Sequence, residues 1–248
     1  SDRGRIYRVY RDGTNPRPIA SLNNLNIAQL VASLDSPGGW TRDTAQRLLL
    51  HRGDPKAAQP LTKLLQTSTN PKARLHALCT LDGLGQLRTE HAVAGMRDRH
   101  PGVREHAVRV SEALLSSGQG DALGQALRLL VNDPEIRVRR QLAFSLGEWN
   151  SPAAGELLGR LASRAGGEPQ LQTAIASSAV GHSVPILDQL FTVSQGVENQ
   201  RLMAAMLRLA AIETDDANLK KLLHRLTGDT AQLEPWRVQA LSALLAGT

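Results

Sequence analysis

An Arg-x-x-Ala spacing inside apolar-periodic segments returns all along this 248-residue chain, and it limits the possible folds more than any other feature. The pairs are Arg42/Ala45, Arg74/Ala77, Arg104/Ala107, Arg140/Ala143, Arg201/Ala204 and Arg237/Ala240. One register lacks its arginine, with Leu171 three residues before Ala174. Successive alanines lie 32, 30, 36, 31, 30 and 36 residues apart. A repeat of roughly 30–47 residues marks a solenoid of helical units. In such an array each unit packs only on its neighbours, so the core grows lengthwise.

The pattern within a unit is helix, turn, helix. Ile27, Leu30, Val31 and Leu34 form a stripe at helical spacing, Asp35-Ser-Pro-Gly-Gly39 breaks it, and a second helix begins near Trp40. Val103, Ala107, Val110 and Leu114 repeat that stripe in the third unit. Proline marks the turn between helices at 37, 71, 101, 134, 169 and 235, and suits a helix's first turn. The third interval, which leads into the fourth unit, is long, and the reading places its extra residues at Glu135-Ile-Arg137. Residues 22–248 are thus expected to be one array. Residues 1–21 differ: Arg5-Ile-Tyr-Arg-Val-Tyr-Arg-Asp-Gly13 reads as a short strand ending in an Asp-Gly turn, the remnant of a preceding β domain. Ser1-Asp-Arg-Gly-Arg5 reads as the interior of a longer protein, and Leu241, Leu244 and Leu245 as apolar surface awaiting a further repeat.

Proline at the turn, arginine shortly after, then alanine and a leucine stripe resembles the HEAT repeat over about nine-tenths of the chain. The resemblance implies an all-α, right-handed α-α superhelix of the HEAT/armadillo type, with about seven helix pairs. Asp35, Asp98 and Asp133 precede Arg42, Arg104 and Arg140 by six or seven positions, which puts a carboxylate on the turn and a guanidinium on the next helix. A ladder of charge-assisted hydrogen bonds between repeats is therefore expected, built from Asp35, Arg42, Arg74, Asp98, Arg104, Asp133, Arg140, Arg201 and Arg237. Arg109, Arg137 and Arg139 are surplus to that ladder and are the candidates for holding an anion or a partner.

Several chemistries find no anchor. Cys79 is the sole cysteine, which excludes an internal disulfide and a multi-thiolate metal site. No apolar run is long enough to span a membrane. Ser111, Ser145 and Ser242 stand in mid-helix with no nucleophile elbow, and no phosphate-cradling glycine loop appears. Gly118-Gln-Gly120 reads as a connector. A di-iron hydroxylase on this scaffold needs His-Glu dipeptides, whereas the chain has only Glu90-His91 and Glu105-His106 reversed. The sequence calls for no cofactor. Net charge is +6, which favours anionic partners in a general way. Aromatic residues make up 3%, too few for base stacking to dominate, so protein ranks ahead of nucleic acid as a partner. Trp40 and Trp236 sit at equivalent turns and read as packing residues, while Trp149 ends a helix where it is open to solvent.

A narrower resemblance attaches to Asp2-Arg-Gly-Arg-Ile-Tyr-Arg-Val9, Ser36-Pro-Gly-Gly-Trp-Thr-Arg-Asp-Thr-Ala-Gln-Arg-Leu-Leu49 and Ala73-Arg-Leu-His-Ala-Leu-Cys-Thr-Leu-Asp-Gly-Leu-Gly85. These segments resemble the large membrane-bound-type dehydrogenases of planctomycetes and relatives, in which a sorbosone-dehydrogenase-like β-propeller, a HEAT array and a c-type cytochrome module share one chain. That resemblance implies an exported, periplasmic or envelope-located parent with its catalytic residues elsewhere. This segment would be a non-catalytic spacer between donor and acceptor modules. The chain lacks the haem-attachment Cys-x-x-Cys-His, since Cys79 is followed by Thr80. Two rival readings stand beside it. One is an independent module whose basic groove holds an acidic protein or peptide. The other is a nucleic-acid-processing HEAT enzyme, which resembles this chain in charge and helix pairing.

Overall fold

A computed structural model describes residues 7, 9–15, 21–193, 197–213, 215–228 and 235–245. Among the described residues fourteen principal helices form seven consecutive pairs. They are α1 (Ile27–Ser33) with α2 (Gly39–Arg52), α3 (Ala58–Thr67) with α4 (Pro71–Gly83), and α5 (Thr89–Met96) with α6 (Pro101–Val110). Next come α7 (Gly120–Leu130) with α8 (Ile136–Leu146), and α9 (Pro152–Ala162) with α10 (Pro169–Ser177). The last two pairs are α11 (Ser183–Leu190) with α12 (Val197–Glu213), and α13 (Asp216–Thr227) with α14 (Pro235–Leu245). No strand occurs among the described residues. The chain is an all-α solenoid.

Local chemistry sets the helix boundaries. Asn26 and Gln29 exchange backbone hydrogen bonds in a reciprocal cap on α1. The side chains of Asn70, Ser151 and Asp215 accept from the first turns of α4, α9 and α13. Pro71, Pro101, Pro152 and Pro169 occupy first helical positions, where a missing N–H costs nothing. Pro37 and Pro134 instead lie inside the turns.

The recurring alanines are where helices come close. Ala45, Ala77, Ala107, Ala143 and Ala174 are completely buried, while Ala204 is half-buried. Ala107 faces Gly95 of α5 so closely that a Cβ on the glycine would stand 2.7 Å from the alanine methyl. A larger residue at either site would push the pair apart. Around these contacts runs one continuous leucine core, with Leu30, Leu61, Leu78, Leu123, Leu142, Leu157, Leu187 and Leu207 fully enclosed. At roughly 25 cal/mol per Å² of apolar surface, this lengthwise burial is the main force holding the stack.

Five expectations are corrected among the described residues. The extra residues of the third interval lie between α6 and α7, where Glu112–Leu114 forms a short helical turn and Leu115–Gln119 a π-type turn broken at Gly118 by φ +84°. Glu135-Ile-Arg137 simply begins α8. The strand expected over 5–13 is absent from its described residues, 7 and 9–13, although the Asp12-Gly13 turn forms and Thr14 N–H donates to Arg11 O at 3.1 Å. Residues 1–6 and 8 lie outside the described set. Trp40 is 58% exposed rather than packed, and the Trp236 side chain lies outside the described set. Trp149 is buried, 5% exposed, because its indole fills the space left by Gly120. Leu244 is buried and Leu241 half-buried, leaving Leu245 as the open one of the three.

Candidate functional site

The turns within the pairs carry a regular polar construction. Arg42 Nη1 donates to Ser36 O at 2.8 Å, Arg74 Nη1 to Ser68 O at 2.9 Å, Arg104 Nη1 to Asp98 O at 2.9 Å, and Arg139 Nη1 to Asp133 O at 2.6 Å. Each arginine reaches back six residues to a carbonyl that begins its own turn. The side chain of that same turn residue accepts an N–H two residues on, at Gly38, Asn70, His100 and Glu135.

The other edge of the guanidinium reaches the following repeat. Arg74 Nε and Nη2 hold the two carboxylate oxygens of Asp98 at 2.5 and 2.7 Å. Arg104 holds Asp133 in the same way at 2.6 and 2.8 Å. Both are bidentate pairs, the strongest geometry open to these groups. Burial pushes the Asp98 carboxyl up, but the Arg74 hydrogen bond and the His100 N–H outweigh it, leaving its pKa below the usual carboxylate value. Asp98 and Asp133, through their hydrogen bonds, hold Arg74 and Arg104 above their ordinary values.

The members differ from the expected set. Arg139, placed among the surplus arginines, makes the fourth-repeat turn bond, because the rule counts from the turn and not from the alanine. Arg140 donates instead to Gln170 Oε1 at 2.5 Å. Asp35 does not meet Arg42: it accepts from Ser68 Oγ at 3.1 Å and Asn70 Nδ2 at 3.0 Å, in the next turn. Ser68 stands where the following repeats place aspartate, so Arg42 Nε is buried with no hydrogen-bond partner among the described residues. In the fifth repeat Gln172 Nε2 takes over, donating to Ala165 O at 3.2 Å. Arg201 is exposed on α12, and the turn ahead of Arg237 lies outside the described set.

A second set of side chains lies on the second helices of the pairs. His76 Nδ1 is 2.8 Å from Gln46 Oε1, tying α4 to α2. Arg109 Nη2 lies 3.8 Å from Cys79 Sγ, joining α6 to α4. Burial pushes the Cys79 thiol up, and neighbouring Arg109 only partly offsets this. Glu112, in the short helical turn that follows α6, accepts from Ser145 Oγ at 2.7 Å and Gln141 Nε2 at 3.2 Å, both on α8. Arg109 and Arg137 are exposed, as are Phe144 and Val180. Acids are interleaved with these cations at Asp43, Asp82, Glu105 and Glu112, so this face is mixed in charge and not uniformly basic.

Among the described residues no group of three or more His, Cys, Asp or Glu side chains is placed to hold a metal ion. Among the same residues no helix is long and apolar enough to cross a membrane.

No protein-family model matches the chain. No curated protein matches it either. Among solved structures, the complex of CpcE and CpcF of phycocyanin lyase from Nostoc sp. PCC7120 aligns at 15% identity and TM-score 0.48, covering 96% of this chain and 98% of that one. A designed armadillo repeat protein aligns at 18% identity and TM-score 0.38, covering 90% of this chain and 100% of that one. Another, solved in complex with the peptide (KR)4, aligns at 18% and 0.38, covering 90% and 99%. The fold assignment rests on the helix pairs themselves. The dehydrogenase resemblance gains no support from these comparisons.

Proposed function

We propose that the chain is a non-catalytic repeat module that binds protein and holds it at fixed spacing. One observation carries this reading: second helices of successive pairs present exposed side chains, Arg109, Arg137 and Phe144 among them, along a single packed array. A rigid series of this kind offers an extended docking surface with little entropy to lose on binding. Nothing in it requires an internal reaction centre. A photo-crosslinking residue at Phe144 tests the reading, with Leu129 on the first-helix side as the control. A discrete protein adduct is expected from the first position, lost on Arg109→Glu/Arg137→Glu, and none from the second. Equal adducts from both positions, or none from either, would refute it.

The finer reading follows from the segments at 2–9, 36–49 and 73–85. On it, the module spaces a dehydrogenase propeller from an electron-accepting cytochrome in an exported parent chain. Sequencing the coding region on both sides tests it: a propeller upstream and Cys-x-x-Cys-His downstream are the required results.

A further inference from the structure

Between α3 and α5, the first helices of the second and third pairs, a groove of about 1000 Å³ opens at the surface. One wall carries Lys56, in the 3-10 turn that leads into α3, and then Gln59, Lys63 and Gln66 along one side of α3, three, four and three residues apart. At 1.5 Å per residue that stripe is about 15 Å long. The other wall is the stretch Gln86 to Arg88 leading into α5.

A partly buried hydrogen-bond chain fixes the two walls. Arg88 N–H donates to His91 Nδ1 at 3.1 Å, so the imidazole proton sits on Nε2, which meets Thr62 Oγ1 at 3.0 Å. Thr62 Oγ1 then donates to Ala58 O at 2.9 Å, inside α3. The groove is thus set before any ligand arrives.

Its charge is one-sided. Lys56, Lys63 and Arg88 are opposed by Glu90 alone, whose carboxylate lies 3.7 Å from Arg88 with both side chains largely exposed. An exposed pair of this kind is weak, and an incoming carboxylate can displace it. The amides of Gln59, Gln66 and Gln86 each offer donors and an acceptor, the complement of a peptide backbone. An extended chain advances about 3.3 Å per residue, so four or five residues span the stripe. No Phe, Tyr or Trp among the described residues lines the groove, so a nucleobase has nothing there to stack on.

We propose that this groove docks an extended acidic segment of a partner protein. Its carboxylates meet Lys56, Lys63 and Arg88, and its backbone lies on the glutamines. The inference rests on the protein-binding reading but concerns a different face from the second-helix side chains. Fluorescein-labelled hexaglutamate is the probe, titrated by anisotropy at low and at physiological salt. Binding is expected at low salt and should weaken with added salt. The Lys56→Glu/Lys63→Glu/Arg88→Glu variant should lose about tenfold or more in affinity. The Arg160→Glu/Lys220→Glu/Lys221→Glu variant, at exposed positions of α9 and α13 and with the same change in net charge, should stay within about twofold. Equal losses in both variants would mean that net charge alone attracts the probe, and the groove proposal would fail. Absence of binding at low salt would overturn it as well. So would oligothymidylate binding more tightly with the same variant dependence, which would make the ligand a nucleic acid. The Phe144 adduct is scored on another face, so the broader reading can survive the loss of this one.

Discussion

The indole of Trp149 occupies the space that Gly120 leaves by having no side chain: a Cβ on that glycine would lie 2.1 Å from Nε1. Trp149 follows the second helix of the fourth pair, and Gly120 opens the first helix of that pair. Gly120→Ala should therefore destabilise the chain by about 2 kcal/mol through overpacking, although alanine favours helix. Gly124 is the control. A Cβ there would meet Trp149 at 3.6 Å, an ordinary contact, so Gly124→Ala should be neutral or gain up to about 1 kcal/mol. Thermal melts of the two variants give the comparison, and equal shifts would contradict the packing.

Asp133 has a side chain only 4% exposed, with Arg104 as its ion-pair partner. Arg104→Ala leaves that carboxylate with the Glu135 N–H alone, a loss of about 3 kcal/mol in a urea titration. Arg109→Ala, at an exposed site, should change stability by about 0.5 kcal/mol or less. Matching midpoints for these two variants would dismiss the pairing as a source of stability.

Arg42 offers a route to greater stability. Ser68→Asp supplies the carboxylate that Arg74 and Arg104 already have, but it removes the Ser68 donor to Asp35 and places two acids together. Combined with Asp35→Asn, it should raise stability by about 1 kcal/mol. Ser68→Asp alone should gain less. A double variant no better than wild type would show that the Arg42 side chain cannot adopt the bidentate geometry.

Burial is the first cause that lowers the pKa of His76, His91, His106 and His182. Nearby acids oppose it in each case: Asp43 for His76, Glu90 for His91, Glu105 for His106 and Glu213 for His182. The folded chain therefore binds these protons less readily than the unfolded chain. Their contribution is fully present above about pH 6.5, the unfolded value, and is lost as pH falls through the lower folded values. Denaturation midpoints should drop between about pH 7.5 and pH 5. His91→Gln should flatten the slope, since it removes the imidazole whose Nδ1 must accept from Arg88 N–H. An unchanged slope would clear His91 of that role.

Much of the fold is legible in the sequence because close helix approach leaves few choices. Ala107 must be small where it meets Gly95, and that need returns in each unit as a countable period. The ladder was harder to read. Its arginine is fixed by the distance to a carbonyl six residues back, so Arg139 holds the place that alanine spacing assigned to Arg140. The π-type turn was hidden because Leu114 and Leu115 continue a helical stripe, and only backbone geometry shows where Gly118 departs from it. Trp149 was misread since its burial depends on a glycine 29 positions earlier. The cationic groove has no sequence signature at all, as its two walls come from different repeats.

The bidentate arginine–aspartate rungs among the described residues join the second pair to the third and the third to the fourth. Mechanically, the array is then a stiff block with more compliant ends. Tension applied along its axis would separate the first junction, or those beyond the fourth pair, before it opened the middle. Anything docked across α3 and α5 would ride on the part of the spring that yields least.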